Sequence, residues 1–324
     1  MVLASDWEAS MLSYAIRRIL SAIPTLFIII TLAFFMMRAA PGGPFDSQRK
    51  LPPQIEHNIE AAYSLDKPLF QQYLLYLGHI SHGDFGPSYK NRNFTVTQLI
   101  AAGVPVSARL GFSAMAIALL VGVTLGAVAA LNQNRAGDYG VMSVAMVGIT
   151  IPTFVTAPLL TLIFGVYGIT IWGLDLSLPV GGWNGGAARN VILPIFVLAL
   201  PQIAIIARLV RGSVIEVLRS NYVRTARAKG LNRRFVIAFH ALPNALLPVV
   251  TLSGILLGFV LAGSIPVERA FGTPGLGYAM YTAVSERDVF VMQNLVFLYS
   301  IVFVLLNIGV DLASAWLDPR IRYR

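Results

Sequence analysis

The sequence contains no cysteine, which excludes a disulfide framework, a thiolate metal site, an iron–sulfur cluster and a cysteine nucleophile. Charge is scarce as well: 12% of the 324 residues are Asp, Glu, Lys or Arg, against 56% hydrophobic. A soluble domain carries about 25% charge, and half that amount cannot cover a globule of this size. This composition argues against a cytosolic enzyme and excludes a disordered chain. No Gly-x-x-x-x-Gly-Lys-Ser/Thr loop is present, so the chain has no evident means of holding ATP. His-Glu-x-x-His is missing too, which removes a zinc metalloprotease.

The charge that is present is clustered. From Arg208 to Arg234 eight basic residues face Glu216 alone, a net +7 of the chain's +9. Residues 38–107 are balanced, with six basic and five acidic side chains. In a soluble protein the excess would point to nucleic acid; in a membrane protein it marks cytoplasmic loops, and no nucleic-acid partner is expected.

A bilayer core about 30 Å thick needs roughly 20 apolar helical residues. Six stretches qualify: Ile19–Met37, Arg109–Leu131, Gly140–Val166, Val191–Leu209, Asn244–Ser264 and Phe290–Ala315. The first is too long for a signal-peptide core and reads as an uncleaved anchor. Arg17 and Arg18 place residues 1–18 in the cytoplasm by the positive-inside rule. Residues 132–139, the basic segment 210–243 and the tail 316–324, with Arg320, Arg322 and Arg324, then also lie inside. Residues 38–107, 167–190 and 265–289 lie outside. The chain therefore reads as an all-α polytopic membrane protein with six spans and both termini cytoplasmic.

The external segment 38–107 is too long for a plain loop. Helix starts are expected after Pro52-Pro53 and after Pro68, giving a small helical insertion. His79 and His82 lie three apart but read as surface residues rather than metal ligands. Pro152 and Pro158 interrupt the third span and predict a kink. Asp311 and Arg109 sit near span ends, where they read as anchors or local ion pairs or as functional candidates. His240 lacks an obvious carboxylate partner and reads as structural.

The basic segment contains Asn221-Tyr222-Val223-Arg224-Thr225-Ala226-Arg227-Ala228-Lys229-Gly230. It predicts a short amphipathic helix, capped by Ser220 or Asn221 and ended by Gly230. Tyr222, Thr225, Ala226 and Lys229 share a face by the i, i+3, i+4, i+7 rule, and Asn232 can cap the following helix. Three readings compete: a solvated loop, a surface for anionic lipid headgroups, and a helix that docks in a groove of a cytoplasmic protein. The small Ala226 favours close protein contact.

From Gly230, eleven residues precede Leu242-Pro243. This frame resembles the coupling-loop motif of ABC importer permeases, and Arg224-Thr225-Ala226 matches the variant of the peptide-permease branch. Ile23-Pro24-Thr25-Leu26-Phe27, His82-Gly83-Asp84-Phe85-Gly86-Pro87-Ser88, Gly181-Gly182-Trp183-Asn184-Gly185-Gly186 and Asp318-Pro319-Arg320-Ile321-Arg322-Tyr323 extend the likeness. So does Glu268 with Pro274-Gly275-Leu276-Gly277. Together they resemble the first permease subunit of oligopeptide importers. The match begins at Met11, so Met11 is expected to be an alternative translation start and residues 1–10 an extension.

The resemblance implies a type I ABC importer permease fold in the bacterial inner membrane. It implies a hetero-dimer with a second permease subunit, two ATPase subunits on the coupling helices, and an external solute-binding protein that delivers the peptide. ATP and Mg would sit on the ATPase subunits, and this chain would bind no cofactor. Tyr222, Arg224, Thr225, Ala226, Lys229 and Gly230 would carry the ATPase contact. Glu268, Pro274, Gly275 and Gly277 would form an external turn or gate. Relatives move dipeptides, glutathione, nickel chelates or peptide antibiotics, so these solutes stay as alternatives. An ion-driven secondary transporter is the main rival, opposed by the near absence of mid-span carboxylates. An intramembrane serine–histidine enzyme and a non-transporting scaffold are the others.

Overall fold

The computed structural model describes residues 2–39, 64–88, 94–171 and 174–317. The helix expected after Pro52-Pro53 and the arginines of the tail lie outside these residues. The described chain is helical apart from a two-residue antiparallel hairpin, Thr170–Ile171 with Leu174–Asp175, and short turns.

Four helices are long and apolar enough to cross a membrane, with mean hydropathy between 2.2 and 2.4 over their best windows. They are α1 (Val2–Ala39), α3 (Val96–Leu131), α6 (Ala188–Leu218) and α12 (Val289–Leu317). The shorter α2 (Leu69–Ser81) starts after Pro68 as the sequence predicts. Two bent pairs are also long and apolar enough when each is taken together. α4 (Ala136–Thr150) and α5 (Thr153–Tyr167) meet at 103°; α8 (Arg233–Ala245) and α9 (Leu247–Ala262) meet at 45°. The sharp bend falls at Pro152, which lacks the amide a continuous helix needs and disfavours helical geometry at Ile151. Pro158 sits inside α5 without ending it.

Helix directions decide how often the chain traverses the bundle. α1 and α12 are antiparallel: Arg18 Nε meets Asp311 Oδ2 at 3.2 Å, and the Arg38 guanidinium lies 5.1 Å from the Phe290 ring at the opposite end. α3 and α6 run parallel. A Cβ on Gly122 would stand 2.9 Å from Ile206 Cβ, one on Gly126 would stand 2.7 Å from Val210 Cβ, and Arg219 reaches Gln133 at 3.3 Å. Two parallel neighbours require the intervening chain to return, so α4 and α5 together make one traverse despite their bend. α9 opposes α12, with Gly254 against Val310 and Gly258 against Phe303. Six traverses result. The N-terminal half of α1, the start of α4, the end of α6 and the end of α12 gather at one end, termed here the Arg18 end. The starts of α3, α6 and α12 gather at the Arg38 end.

A stripe of small residues explains the α3–α6 contact. Ala114, Ala118, Gly122, Gly126 and Ala130 recur every four residues and are all buried. Hydrocarbon provides no hydrophobic drive between helices, so close backbone approach and van der Waals packing must supply it. Ile206, Val210 and Val214 of α6 fill the opposing side of this core.

Three boundaries differ from the sequence reading. α3 begins at Val96, thirteen residues before Arg109, because Thr95 and Gln98 form a capping box: Thr95 Oγ1 accepts from Gln98 N at 3.2 Å, and Gln98 Oε1 accepts from Thr95 N at 3.0 Å. α6 continues to Leu218, so Arg211, read in the segment 210–243, lies on the helix. The residues 265–289, read as a loop, form α10 (Ser264–Phe271) and α11 (Leu276–Glu286).

Candidate functional site

At the Arg18 end the chain leaves α6 and enters α7 (Asn221–Ala228). Ser220 occupies the N-cap position, but its hydroxyl donates to Val217 O at 2.6 Å and does not cap the amides of α7. The C-terminus is closed by a Schellman arrangement: Gly230 N donates to Arg227 O at 3.0 Å and Leu231 N to Ala226 O at 3.4 Å. Gly230 holds φ +78°, a left-handed value in which a side chain is strained. Asn232 Oδ1 then accepts from Arg234 N at 3.0 Å and opens α8.

Val223 anchors α7. It is 0% exposed and packs with Val236 and Ala241 in a small apolar cluster flanked by Val217, Leu218 and Ala226. Ala226 is therefore half-buried against its own chain, and its small size brings α7 close to α6 and α8. Tyr222, Arg224, Thr225 and Lys229 remain exposed. Among the described residues no carboxylate pairs with Arg224, Arg227, Lys229 or Arg233. The middle of α8 is a π-helical stretch, Val236–Ala241, a wider coil found mostly as isolated turns. His240 stands edge-on to Phe235 at 5.7 Å.

Below α7 an ion pair ties two traverses together. Arg211 Nε and Nη2 each lie 2.6 Å from the Asp138 carboxylate, a bidentate fit, and Asp138 is 1% exposed. No local sequence pattern announces this pair, because 73 residues separate its members.

At the Arg38 end Glu268 organises the elbow between α10 and α11. Its carboxylate is 0% exposed. Oε1 accepts from Ser107 Oγ of α3 at 2.6 Å, and Oε2 accepts from Tyr278 N at 3.0 Å. Ser107 Oγ in turn accepts from Leu276 N at 2.8 Å. The carboxylate thus meets first-turn amides of α11, where a negative charge is favoured by the helix dipole. Burial pushes the Glu268 carboxyl above its ordinary pKa, and the donors oppose that shift. Glycine is required beside it: a Cβ on Gly275 would meet Ser107 Oγ at 2.5 Å and Glu268 Cδ at 2.7 Å, and one on Gly277 would stand 2.8 Å from Ile265 Cα. Pro274 lies in the same turn. Gly182 N donates to Phe271 O at 2.7 Å, so the glycine-rich loop 181–186 closes over the elbow.

The remaining sequence candidates separate. Arg109 lies 5.7 Å from the Trp183 ring, a cation–π contact in place of an ion pair. His79 Nδ1 meets Asp84 Oδ2 at 3.2 Å, a carboxylate partner the sequence reading did not assign, while His82 Nδ1 meets Gly78 O at 2.8 Å. The two rings do not converge.

Two family models match this architecture. The model for the binding-protein-dependent transport system inner membrane component covers residues 122–323, and the model for its N-terminal part covers residues 11–110. The chain belongs to this permease family. It is a multi-pass membrane protein and the transport component of such a system, not its ATPase. The permease is 48% identical over 313 residues to the oligopeptide transport system permease protein OppB of Haemophilus influenzae, across 97% of this chain and 100% of that one. It is 49% identical over 314 residues to OppB of Salmonella typhimurium, with the same coverage. The inward-facing MetNI methionine ABC transporter shares the fold, with TM-score 0.56 and 19% identity over 68% of this chain and 96% of that one.

Proposed function

We propose that this permease is one half of the translocation unit of an ATP-driven oligopeptide importer, and that α7 is the helix through which it is driven. The solute follows from full-length likeness to two oligopeptide permeases. The Arg18 end faces the cytoplasm: it carries Arg17, Arg18, Arg135, Arg211, Arg219 and the arginines of α7 and α8, which the positive-inside rule assigns to that side. The spans and loops then alternate as the sequence predicts, in the inner membrane, with both termini inside.

The observation that carries the drive reading is the mounting of α7. Val223 and Ala226 fix it on the bundle, while Tyr222, Arg224, Thr225 and Lys229 are exposed, with cations that no carboxylate among the described residues pairs. A helix held by its apolar side and presenting a basic side is suited to an acidic groove on a cytoplasmic ATPase. Two such ATPase subunits, a second permease subunit and an external solute-binding protein complete the machine. ATP and Mg sit on the ATPase subunits. The Glu268 elbow, with Pro274, Gly275 and Gly277, frames the external gate.

Gly230→Asp tests this. A side chain at φ +78° strains the turn, while open space around Gly230 leaves the bundle undisturbed. The variant is expected to insert and assemble normally and to lose at least ten-fold in peptide-stimulated ATP hydrolysis. Retained stimulation would remove α7 from the drive.

A further inference from the structure

At the Arg38 end, between α1, α2 and the start of α12, lies a cleft of about 180 Å³. The cleft has room for a small organic ligand. Its wall carries polar groups that the protein leaves under-paired. Buried Asn294 Oδ1 has no hydrogen-bond partner, and the buried Tyr76 hydroxyl and Gln293 side chain have at most each other. Gln293 and Asn294 are each 2% exposed. Native proteins pair nearly all such atoms, so an under-paired cluster around one cleft calls for a partner that enters it.

The polarity of the cleft defines that partner. Arg38 gives Nε to Gln72 Oε1 at 3.0 Å and lies between the Phe34 and Phe290 rings, at 5.0 and 5.1 Å. Its remaining guanidinium donors face no carboxylate among the described residues. Gln293 Nε2 and the Tyr76 hydroxyl add two more donors beside it. Burial pushes the Tyr76 phenol up to about 12, which keeps it protonated. Asn294 Nδ2 is committed to Phe85 O and Phe290 O, both at 2.9 Å, which leaves Oδ1 as an acceptor. Asp84, which also lines the cleft, supplies negative charge.

We infer that this cleft binds a small compound with a free carboxylate and an adjacent N–H group. The carboxylate meets Arg38, Gln293 and Tyr76, with guanidinium geometry suited to its two oxygens. The N–H group meets Asn294 Oδ1, with Asp84 near it. This is the chemistry of a free amino acid and equally of the C-terminal residue of a peptide. Because α1, α2 and α12 all contribute, an occupant would hold the external insertion against the bundle. The site is separate from α7 and from the Glu268 elbow.

The test uses the permease complex in nanodiscs without soluble binding protein, and equilibrium dialysis of L-alanine, trialanine and their C-terminal amides. Saturable binding of a free-carboxylate form, at least ten-fold weaker for its amide, is expected. Binding of alanine alone identifies a free amino acid as the source; binding of trialanine alone identifies a peptide end. Arg38→Gln and Gln293→Leu are each expected to weaken binding at least ten-fold while the complex keeps its elution profile and basal ATP hydrolysis. Absence of saturable binding, equal binding of the amides, or unchanged binding in both variants would overturn the inference and leave a cleft holding water only. None of these results depends on the Gly230 test.

Discussion

The two ends of the bundle are held by opposite means. At the Arg38 end a buried carboxylate joins three elements through short hydrogen bonds, and glycines at 275 and 277 let backbone approach it. At the Arg18 end α7 rests on a few apolar side chains and turns its cations to the outside. The first end is fixed by directional bonds in a buried site, where loss of the carboxylate leaves donors unpaired. The second is fixed by a small nonpolar contact that tolerates displacement. On the proposed function this asymmetry is useful, because α7 would have to move as a handle while the elbow at the other end keeps its shape.

The largest effect is expected at the fixed end. Glu268→Ala orphans the Ser107 hydroxyl and the Tyr278 amide, and each buried unsatisfied donor costs about 1–3 kcal/mol, so roughly 2–6 kcal/mol in all. A thermal melt of the purified complex should register the loss. Glu268→Gln should lose far less, since the amide oxygen can serve Tyr278 N while its NH₂ faces Ser107 Oγ. The pair also separates in pH. Burial holds the folded carboxyl above its unfolded pKa, so its contribution is most favourable below the unfolded value and is lost as pH rises through the folded one. The glutamine variant lacks that slope. Equal melts for Ala and Gln would show that the elbow is not held by this carboxylate.

Both ends depend on the shaft between them, and there the expected effect is intermediate. Gly126→Leu forces a side chain into the Val210 and Ala207 contact, an overpacking cost of about 1–3 kcal/mol. Gly212→Leu provides the control, because no atom lies within 4 Å of a Cβ at that position. Melting temperatures should fall for the first and hold for the second. If both fell alike, the close α3–α6 approach would not be what joins the two ends.

Much of this was legible in the residues. Each apolar run falls on a helix or a bent helix pair, and Gly230 and Asn232 marked their turns because cap chemistry is local. Pro152 marked the bend for the same reason. The capping box at Thr95 and Gln98 and the four-residue recurrence of small residues in α3 were also on the page as patterns, and they set the true start and the partner of that helix. The inward turn of Ala226 was not legible, since periodicity assigns faces but does not say which one the bundle covers. Glu268, grouped with a loop by its neighbours' charges, meets Ser107 across 161 residues. Asp138 with Arg211, and Arg38 with Phe290, are likewise long-range meetings that only packing brings about.

The smallest effect is expected at the handle's own hinge. Asn232 lies just beyond Gly230, is exposed, and caps α8 through a single hydrogen bond to Arg234 N. Loss of such a cap costs about 0.5–2 kcal/mol, and exposed sites fall at the low end. Asn232→Ala should therefore leave the global melt of the complex nearly unchanged. Its effect should be local: faster amide exchange across Arg233–Phe235, with the exchange of α10 and α11 unaltered. Asn232→Asp, which keeps the acceptor oxygen, should restore the protection. A variant that instead loosened α11 would mean that the two ends communicate through the cap itself, and the inner contact would have to be counted among the rigid ones.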